Sequence, residues 1–159
     1  MAGRWYLTGY SGGISRAFQS CQVVERSVGY HHAINERVTG RFGPFPFSFN
    51  RRYEAQNARG VYRRFADYPL LGIVKVTTVV LDVVRDWWNG YQAVIEYACL
   101  VALGGFRFQE VRVLTRDREI SPSTLDLVDS ILRQSGLEVR VTPLDHMRCP
   151  RTDRGPGWE

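Results

Sequence analysis

The sequence has very little lysine: Lys75 is the only one, and the remaining twenty of its 21 basic residues are arginine. Cysteine is also scarce, because Cys21, Cys99 and Cys149 lie far apart and form no C-x-x-C pair. An odd and scattered set of cysteines predicts neither a disulfide framework nor a zinc knuckle. It fits a reducing interior compartment better than an oxidising one.

Long apolar runs are missing as well. In the part of the chain that follows Pro69, the longest stretch without an acidic or basic residue is Tyr97 to Phe106. This is about half of the ~20 residues that a transmembrane helix needs. With 159 residues, of which 44% are hydrophobic, the chain has the size and composition of one globular domain. We therefore expect no membrane span.

Charge points to a class of partner. Lys and Arg together number 21, against 16 for Asp and Glu, which gives a net charge of +5. The flat guanidinium of arginine pairs with phosphate through two hydrogen bonds and stacks on bases, whereas an ammonium does neither. Arginine excess therefore favours RNA as the partner. The alternative is a set of solvated arginines that reflects only the base composition of the genome.

No catalytic group of residues is evident. A thioredoxin-type redox site needs a thiolate at a helix N-terminus, and the corresponding turn, Tyr53 to Asn57, contains no cysteine. His31 and His32 are adjacent and therefore point in different directions, so a shared metal is not expected. We predict a protein that is not an enzyme and has no metal and no cofactor. An enzyme with an unfamiliar site is the alternative, and a deep polar pocket with shifted pKa values would reveal it.

Apolar spacing in the first third of the chain predicts a helix. Ile14, Phe18, Cys21, Val24 and Val28 recur at intervals of four, three, three and four, which places them on one helix face. The glycines and prolines between residues 40 and 46 then favour a junction. We expect residues 1–42 to form an N-terminal arm and an amphipathic helix.

The middle of the chain shows mixed patterns. Phe45, Phe47 and Phe49 alternate with other residues as in a strand. Asn57 can then cap a helix that runs from Ala58 to about Asp67, with Val61 and Phe65 on its inner face. Three further apolar runs begin at residues 76, 92 and 106, and the Asn89-Gly90 hairpin signal separates the first two. They predict an antiparallel meander of three strands.

Helix boundary signals are strong near the C-terminus. Ser121 precedes Pro122, and Gly136 follows the last apolar position, as expected for a helix between them. Leu137 to Val141 alternate as a final strand. The order from residue 43 to residue 143 is strand, helix, three strands, helix, strand. It predicts an α/β domain with a thioredoxin-like mixed sheet flanked by helices, followed by a basic tail at 144–159.

Several motifs resemble a known family. Residues 134–139, which read Gln-Ser-Gly-Leu-Glu-Val, and a basic tail with Arg154-Gly155 and Trp158 are similar to the C-terminal part of a thioredoxin-like family. Asn57 to Gly60, Arg63-Arg64-Phe65 and Glu96-Tyr97 provide further matches. This family is shared by large-subunit mitochondrial ribosomal protein 43 and an accessory subunit of respiratory complex I. The tail makes the sequence more similar to the ribosomal member.

The resemblance implies a structural constituent of the large mitoribosomal subunit, located in the mitochondrial matrix. Its partners would be large-subunit rRNA and neighbouring ribosomal proteins, with no small-molecule substrate. An accessory subunit of complex I is the alternative. Basic and aromatic side chains from three parts of the chain are the candidate contacts with the RNA backbone. They are Arg51, Arg52, Arg59, Arg63, Arg64, Arg148, Arg151, Arg154 and Trp158. We also expect Trp87 and Trp88 to pack in the core or an interface.

Overall fold

The computed structural model describes residues 1–12, 19–65, 75–88, 90–101, 107–147 and 149. These residues form nine strands and one α-helix, with a short 3₁₀ turn at Tyr30–His32. The strands are β1 (Gly3–Gly12), β2 (Gln19–Val28), β3 (Ile34–Phe42), β4 (Phe45–Ala55), β5 (Val61–Phe65), β6 (Lys75–Asp86), β7 (Gly90–Val101), β8 (Arg107–Thr115) and β9 (Thr142–Pro143). The helix is α1 (Pro122–Gln134). Among the described residues, no helix combines the length and apolar character needed to cross a bilayer.

The strands close into a barrel. From β2 to β8, each strand pairs with the next one along the chain, and every pair is antiparallel. β1 pairs with β8 on one side and with β2 on the other, which closes an eight-stranded barrel. The short β9 adds to β1 at Gly9 and Tyr10. The predicted thioredoxin-like α/β fold is therefore wrong, because its sheet would be mixed and open.

The prediction of an N-terminal helix is also wrong. Residues 13–18 lie outside the described part of the chain, and Gln19–Val28 form a strand. Val24 and Arg26 are buried two residues apart, which is the period of a strand. Val28, which the helical spacing placed on the inner face, is 61% exposed. Strand β3 then pairs with β4 along its whole length, so residues on both sides of position 42 belong to the same sheet.

The helix predicted from Ala58 to Asp67 is a turn and a strand instead. The Val61 amide donates to the Ala58 carbonyl at 3.1 Å, and Gly60 adopts a positive φ of 78°. The chain then continues as β5, in which Arg64 is buried and Arg63 is exposed. The four-residue spacing of Val61 and Phe65 fits a strand equally well, because an even spacing keeps both residues on one face.

Two predictions from local signals are confirmed. β6, β7 and β8 form the antiparallel meander. Helix α1 begins as expected, because the Ser121 hydroxyl accepts a hydrogen bond from the Thr124 amide at 3.1 Å. It ends before Gly136, whose φ is 70°. The final strand predicted at Leu137 to Val141 is wrong, because the strand that pairs with the barrel is Thr142–Pro143, directly after that range.

Helix α1 covers one outer face of the barrel. Val128, Ile131 and Leu132 on the helix belong to one apolar cluster with Ile95, Val111 and Val113, which come from the outer faces of β7 and β8. Burial of this apolar area stabilises the fold by about 25 cal/mol per Å². A second cluster, which includes Trp5, Val38, Val94 and Leu114, lies inside the barrel. Both faces of β7 and β8 are therefore buried.

The two ends of the barrel differ. At one end, called here the Tyr30 end, the indole of Trp5 is completely buried. The Arg116 guanidinium lies 3.7 Å from the centre of that ring and donates to the carbonyl of Ala2 at 2.7 Å. The opposite end, called the Gly43 end, contains the turn between β3 and β4. Trp87 and Trp88 do not pack in the core, since they are 87% and 84% exposed, and their packing in an interface stays a prediction.

Candidate functional site

A layer of charged side chains crosses the inside of the barrel. Its members are carried by six different strands and point inward, and the residues that flank each of them point outward. We call it the interior charge layer, and it consists of Arg26, Glu36, Arg51, Arg64, Glu96, Glu110 and Arg112. Their side chains are at most 7% exposed.

Glu36 lies at the centre of this layer. Its Oε2 accepts from Arg26 Nη2 at 2.6 Å. Its Oε1 accepts from Arg51 Nη1 at 2.7 Å and from Arg112 Nη2 at 3.2 Å. Burial alone would raise the pKa of Glu36, but the guanidiniums of Arg112, Arg26 and Arg51 hold it well below its usual range. Glu36 is therefore a carboxylate.

The other two carboxylates pair within the same layer. Glu96 Oε1 lies 2.8 Å from Arg26 Nη2. Its Oε2 accepts no hydrogen bond from the described residues and lies 3.5 Å from Arg112 Nη1. Glu110 Oε2 accepts from Arg64 Nη2 at 3.0 Å. Three acids and four arginines are thus joined in one continuous network.

Tyr53 completes the network. Its hydroxyl accepts from Arg112 Nη1 at 2.6 Å. Burial raises the pKa of Tyr53, so its side chain is a neutral phenol at physiological pH. The Arg64 Nε group donates to the Thr78 hydroxyl at 3.2 Å. Neutral oxygens therefore supplement the carboxylates around the arginines.

One donor in this layer lacks a partner. Among the described residues the layer contains four guanidiniums and three carboxylates. Within the described part of the chain, Arg26 Nη1 is buried and has no hydrogen-bond partner. A buried charge or donor without a partner is energetically unfavourable. The layer is therefore suited to receive an anion.

Aromatic rings lie between this layer and the Gly43 end. The register of β3 and β4 sets Glu36 opposite Arg51, Val38 opposite Phe49, and Gly40 opposite Phe47. Phe47 and Phe49 stack at 5.8 Å between ring centres and are half-buried. The Arg51 guanidinium lies 5.2 Å from the centre of the Phe49 ring. Apolar surface thus leads directly to the charges.

Gly40 makes this arrangement possible. A Cβ atom at position 40 would come within 2.7 Å of Cζ of Phe47. Any larger residue would therefore push the Phe47 ring out of its place over β3. The glycine that sequence analysis assigned to a junction instead provides space for an aromatic side chain inside the barrel.

The predicted RNA contacts do not form one surface. Arg51 and Arg64 point into the barrel and pair with Glu36 and Glu110. Arg52, Arg59 and Arg63 are exposed on the outside. Arg148, Arg151, Arg154 and Trp158 lie outside the described residues. Phosphate contacts by these individual side chains stay a prediction that the structure does not test.

Five of the seven residues of the interior charge layer were not predicted as site residues: Arg26, Glu36, Glu96, Glu110 and Arg112. A single charged residue between apolar ones normally indicates a solvated face. The available signal was alternation: Glu110, Arg112 and Leu114 share one face of β8, whereas Val111 and Val113 share the other. When one face of a strand is apolar and the other alternates charged with apolar residues, both faces can be buried.

A cleft lies on the outside of the barrel. It has a volume of about 570 Å³. One side is formed by the outer faces of β2, β3 and β4 together with Gly40 and Phe47, and the other by Tyr6, Arg118, His146 and Cys149. Cys149 forms a disulfide with Cys21, 128 residues away in sequence. The prediction that the cysteines form no disulfide is therefore wrong for this pair, and the bond ties the C-terminal segment to β2.

His146 is held firmly in this cleft. It is 2% exposed, and its Nε2 lies 2.6 Å from the Leu7 carbonyl oxygen. A carbonyl only accepts hydrogen bonds, so Nε2 carries the proton. Burial lowers the pKa of His146. Among the described residues, no group of three or more side chains is arranged to hold a metal ion.

Comparison with known proteins identifies the fold. The siderocalin Ex-FABP superimposes with a TM-score of 0.68 at 14% identity, covering 93% of this chain and 95% of its own. Apocrustacyanin C2 gives a TM-score of 0.74 at 11% identity, covering 96% of this chain and 81% of its own. Lobster apocrustacyanin A1 gives 0.73 at 13% identity, with the same coverage of 96% and 81%.

The chain has the lipocalin fold. No protein-family model matches the sequence, and no curated protein matches it either. The resemblance to the thioredoxin-like ribosomal family is thus wrong, since all three superimposed structures are lipocalin barrels. That resemblance implied rRNA and ribosomal proteins as partners, with no small-molecule substrate, and this prediction is wrong as well. The alternative of a complex I subunit is likewise unsupported.

Proposed function

We propose that this protein binds a small amphipathic anion inside the barrel and acts as a carrier or binding protein rather than an enzyme. The buried Nη1 of Arg26, which has no hydrogen-bond partner among the described residues, carries this proposal. An eight-stranded barrel is just wide enough to be filled by side chains or to hold one small ligand. Here the ligand's apolar part would contact Phe47 and Phe49, and its anionic group would face the arginines beneath them.

The lipocalin fold supports a binding role without determining the ligand, because one fold serves many functions. Ex-FABP, which shares the fold, functions through dual ligand specificities. The order of side chains on β4 adds the specific chemistry. From the Gly43 end inward, Phe47, Phe49, Arg51 and Tyr53 occupy successive inward positions. Along this strand the inward side chains change from apolar to cationic. The matching ligand changes from an apolar body to an anionic group.

The proposal is tested with two ligands that differ only in their head group. Dodecanoate and dodecanol compete for the barrel against a fluorescent fatty acid. We expect dodecanoate to bind at least about tenfold more tightly, because a charge-assisted hydrogen bond is roughly twice as strong as a neutral one. Equal affinity for the two compounds would show that the charge layer does not select the ligand.

A pair of adjacent residues provides a matched control. Arg51→Met removes one guanidinium of the layer while Arg26 and Arg112 still pair with Glu36. Arg52→Met removes the same charge from the exposed outer face of the same strand. We expect the first variant to lose most of the preference for dodecanoate and the second to keep it. The same preference in both variants would contradict the proposal.

A further inference from the structure

We propose that the outer cleft is a second binding site, for a small aromatic anion, and that it is distinct from the interior charge layer. Its volume of about 570 Å³ lies in the ordinary range of small-molecule sites, about 300–1,000 Å³. Val23 and Thr39 face the cleft, while their neighbours Val24 and Val38 are buried inside the barrel. Gly40 and Phe47 also line the cleft, so it reaches the Gly43 end of the barrel, but none of the seven residues of the interior charge layer lines it.

Cationic side chains line the cleft. Arg41 and Arg118 both contribute to its lining, and no carboxylate of the described residues does. Arg41 donates to the Pro44 carbonyl at 3.0 Å, a neutral acceptor that leaves its guanidinium charge uncompensated. A cavity bordered by such a guanidinium attracts a negatively charged ligand.

Aromatic groups supply the other half of the site. The rings of Tyr6 and His146 meet edge to face at 5.8 Å between centres. The Arg118 guanidinium lies 5.6 Å from the centre of the Tyr6 ring. His146 is fixed by its hydrogen bond to Leu7, so this arrangement is formed before a ligand arrives. A flat aromatic body would stack there with its anionic group near an arginine.

The disulfide defines one wall of the cleft. Cys21 and Cys149 both line it, and their bond holds the C-terminal segment against β2. The cleft therefore belongs to the oxidised protein. The barrel interior has no such dependence, because none of the residues of the interior charge layer lies in the C-terminal segment.

The test uses 8-anilinonaphthalene-1-sulfonate, an aromatic monoanion, with the full chain and with saturating dodecanoate to occupy the interior. Ser48 is exposed and lines the cleft, so Ser48→Trp should fill it. Asn50→Trp places the same side chain two residues along the same strand, outside the cleft. We expect calorimetry to show one sulfonate bound to the wild type and to Asn50→Trp, and loss of this binding in Ser48→Trp. Equal binding to both tryptophan variants would overturn the proposal.

Charge is tested in the same way. Arg41→Gln should weaken sulfonate binding about tenfold. Arg37→Gln, on the same outer face of β3 but outside the cleft lining, should leave it unchanged. If dodecanoate fails to bind at all, the proposed function fails, while these two pairs of variants still decide the cleft. Equal weakening by both glutamine variants would show only general attraction to a cationic surface.

Discussion

The two faces of β7 and β8 are both buried, yet they are built from opposite chemistry. On the outside, Ile95, Val111 and Val113 pack against helix α1. On the inside, Glu96, Glu110 and Arg112 belong to the interior charge layer. The outer face needs only shape and apolar area to be stable. The inner face is stable only if most of its charges are paired, because desolvation of ions in a protein interior is unfavourable by several kcal/mol for each ion.

Stability alone explains the apolar outer face, but it does not explain the charged inner face. Replacing a buried ion network by apolar residues of similar volume is often neutral or stabilising. A layer of seven charged residues is therefore a poor way to fill a barrel if filling is its only purpose. The unpartnered donor of Arg26 and the position of the layer beneath Phe47 and Phe49 fit the proposed binding of an amphipathic anion.

The largest expected effect comes from the centre of the inner face. Glu36→Ala leaves the guanidiniums of Arg26, Arg51 and Arg112 without their shared carboxylate. We expect the free energy of unfolding, measured by urea denaturation, to fall by about 3–5 kcal/mol. As a control, Glu25→Ala removes an exposed ion pair with Arg4 and should change stability by about 1 kcal/mol or less. Similar losses for the two variants would contradict the network described here.

The second prediction concerns the outer face, where a substitution beneath helix α1 would create a cavity. Leu132 is 1% exposed and packs in the cluster between α1 and the barrel. Leu132→Ala should lower the free energy of unfolding by about 3 kcal/mol, and dodecanoate should retain its affinity for the folded protein. A change in the preference for dodecanoate over dodecanol would mean that the two faces are coupled rather than independent.

The smallest expected effect is the pH dependence of the stability that Glu36 contributes. Because the pKa of Glu36 lies below its unfolded value of 4.5, the unfolded state binds the proton first as pH falls. The stability that Glu36 contributes is thus complete above about pH 4.5 and is lost progressively at lower pH. The gap in unfolding free energy between the wild type and Glu36→Gln should shrink below that pH, by up to about 1.4 kcal/mol for each pH unit. A constant gap from pH 7 to pH 3 would contradict the assignment.

Sequence analysis succeeded where the signals are local. The cap at Ser121, the stop at Gly136 and the hairpin signal at Asn89-Gly90 each act within a few residues, and they predicted α1 and the meander. Closure of the barrel depends instead on pairing between β1 and β8, such as the contact at 2.9 Å between the hydroxyls of Thr8 and Thr115. No local pattern records a contact across 107 residues.

The predictions for the first half of the chain were wrong for a different reason. Spacings of three and four residues among Cys21, Val24 and Val28 imitated a helix, while the inward face of β2 carries Arg26, a charged residue that interrupts the apolar alternation of a strand. The same applies to Arg64 in β5. Buried charges inside the barrel thus interrupt the apolar alternation by which these strands could have been predicted. Location in the mitochondrial matrix stays a prediction.

The account depends on an anionic head group lying within the interior charge layer. The most direct measurement is the NMR spectrum of dodecanoate labelled with ¹³C at the carboxyl carbon and bound to the protein. We predict nuclear Overhauser contacts between the alkyl chain and the rings of Phe47 and Phe49, and a carboxyl resonance that stays ionised at pH values where free dodecanoate is protonated. A bound carboxyl group that titrates as it does in water, without contacts to either ring, would contradict the account.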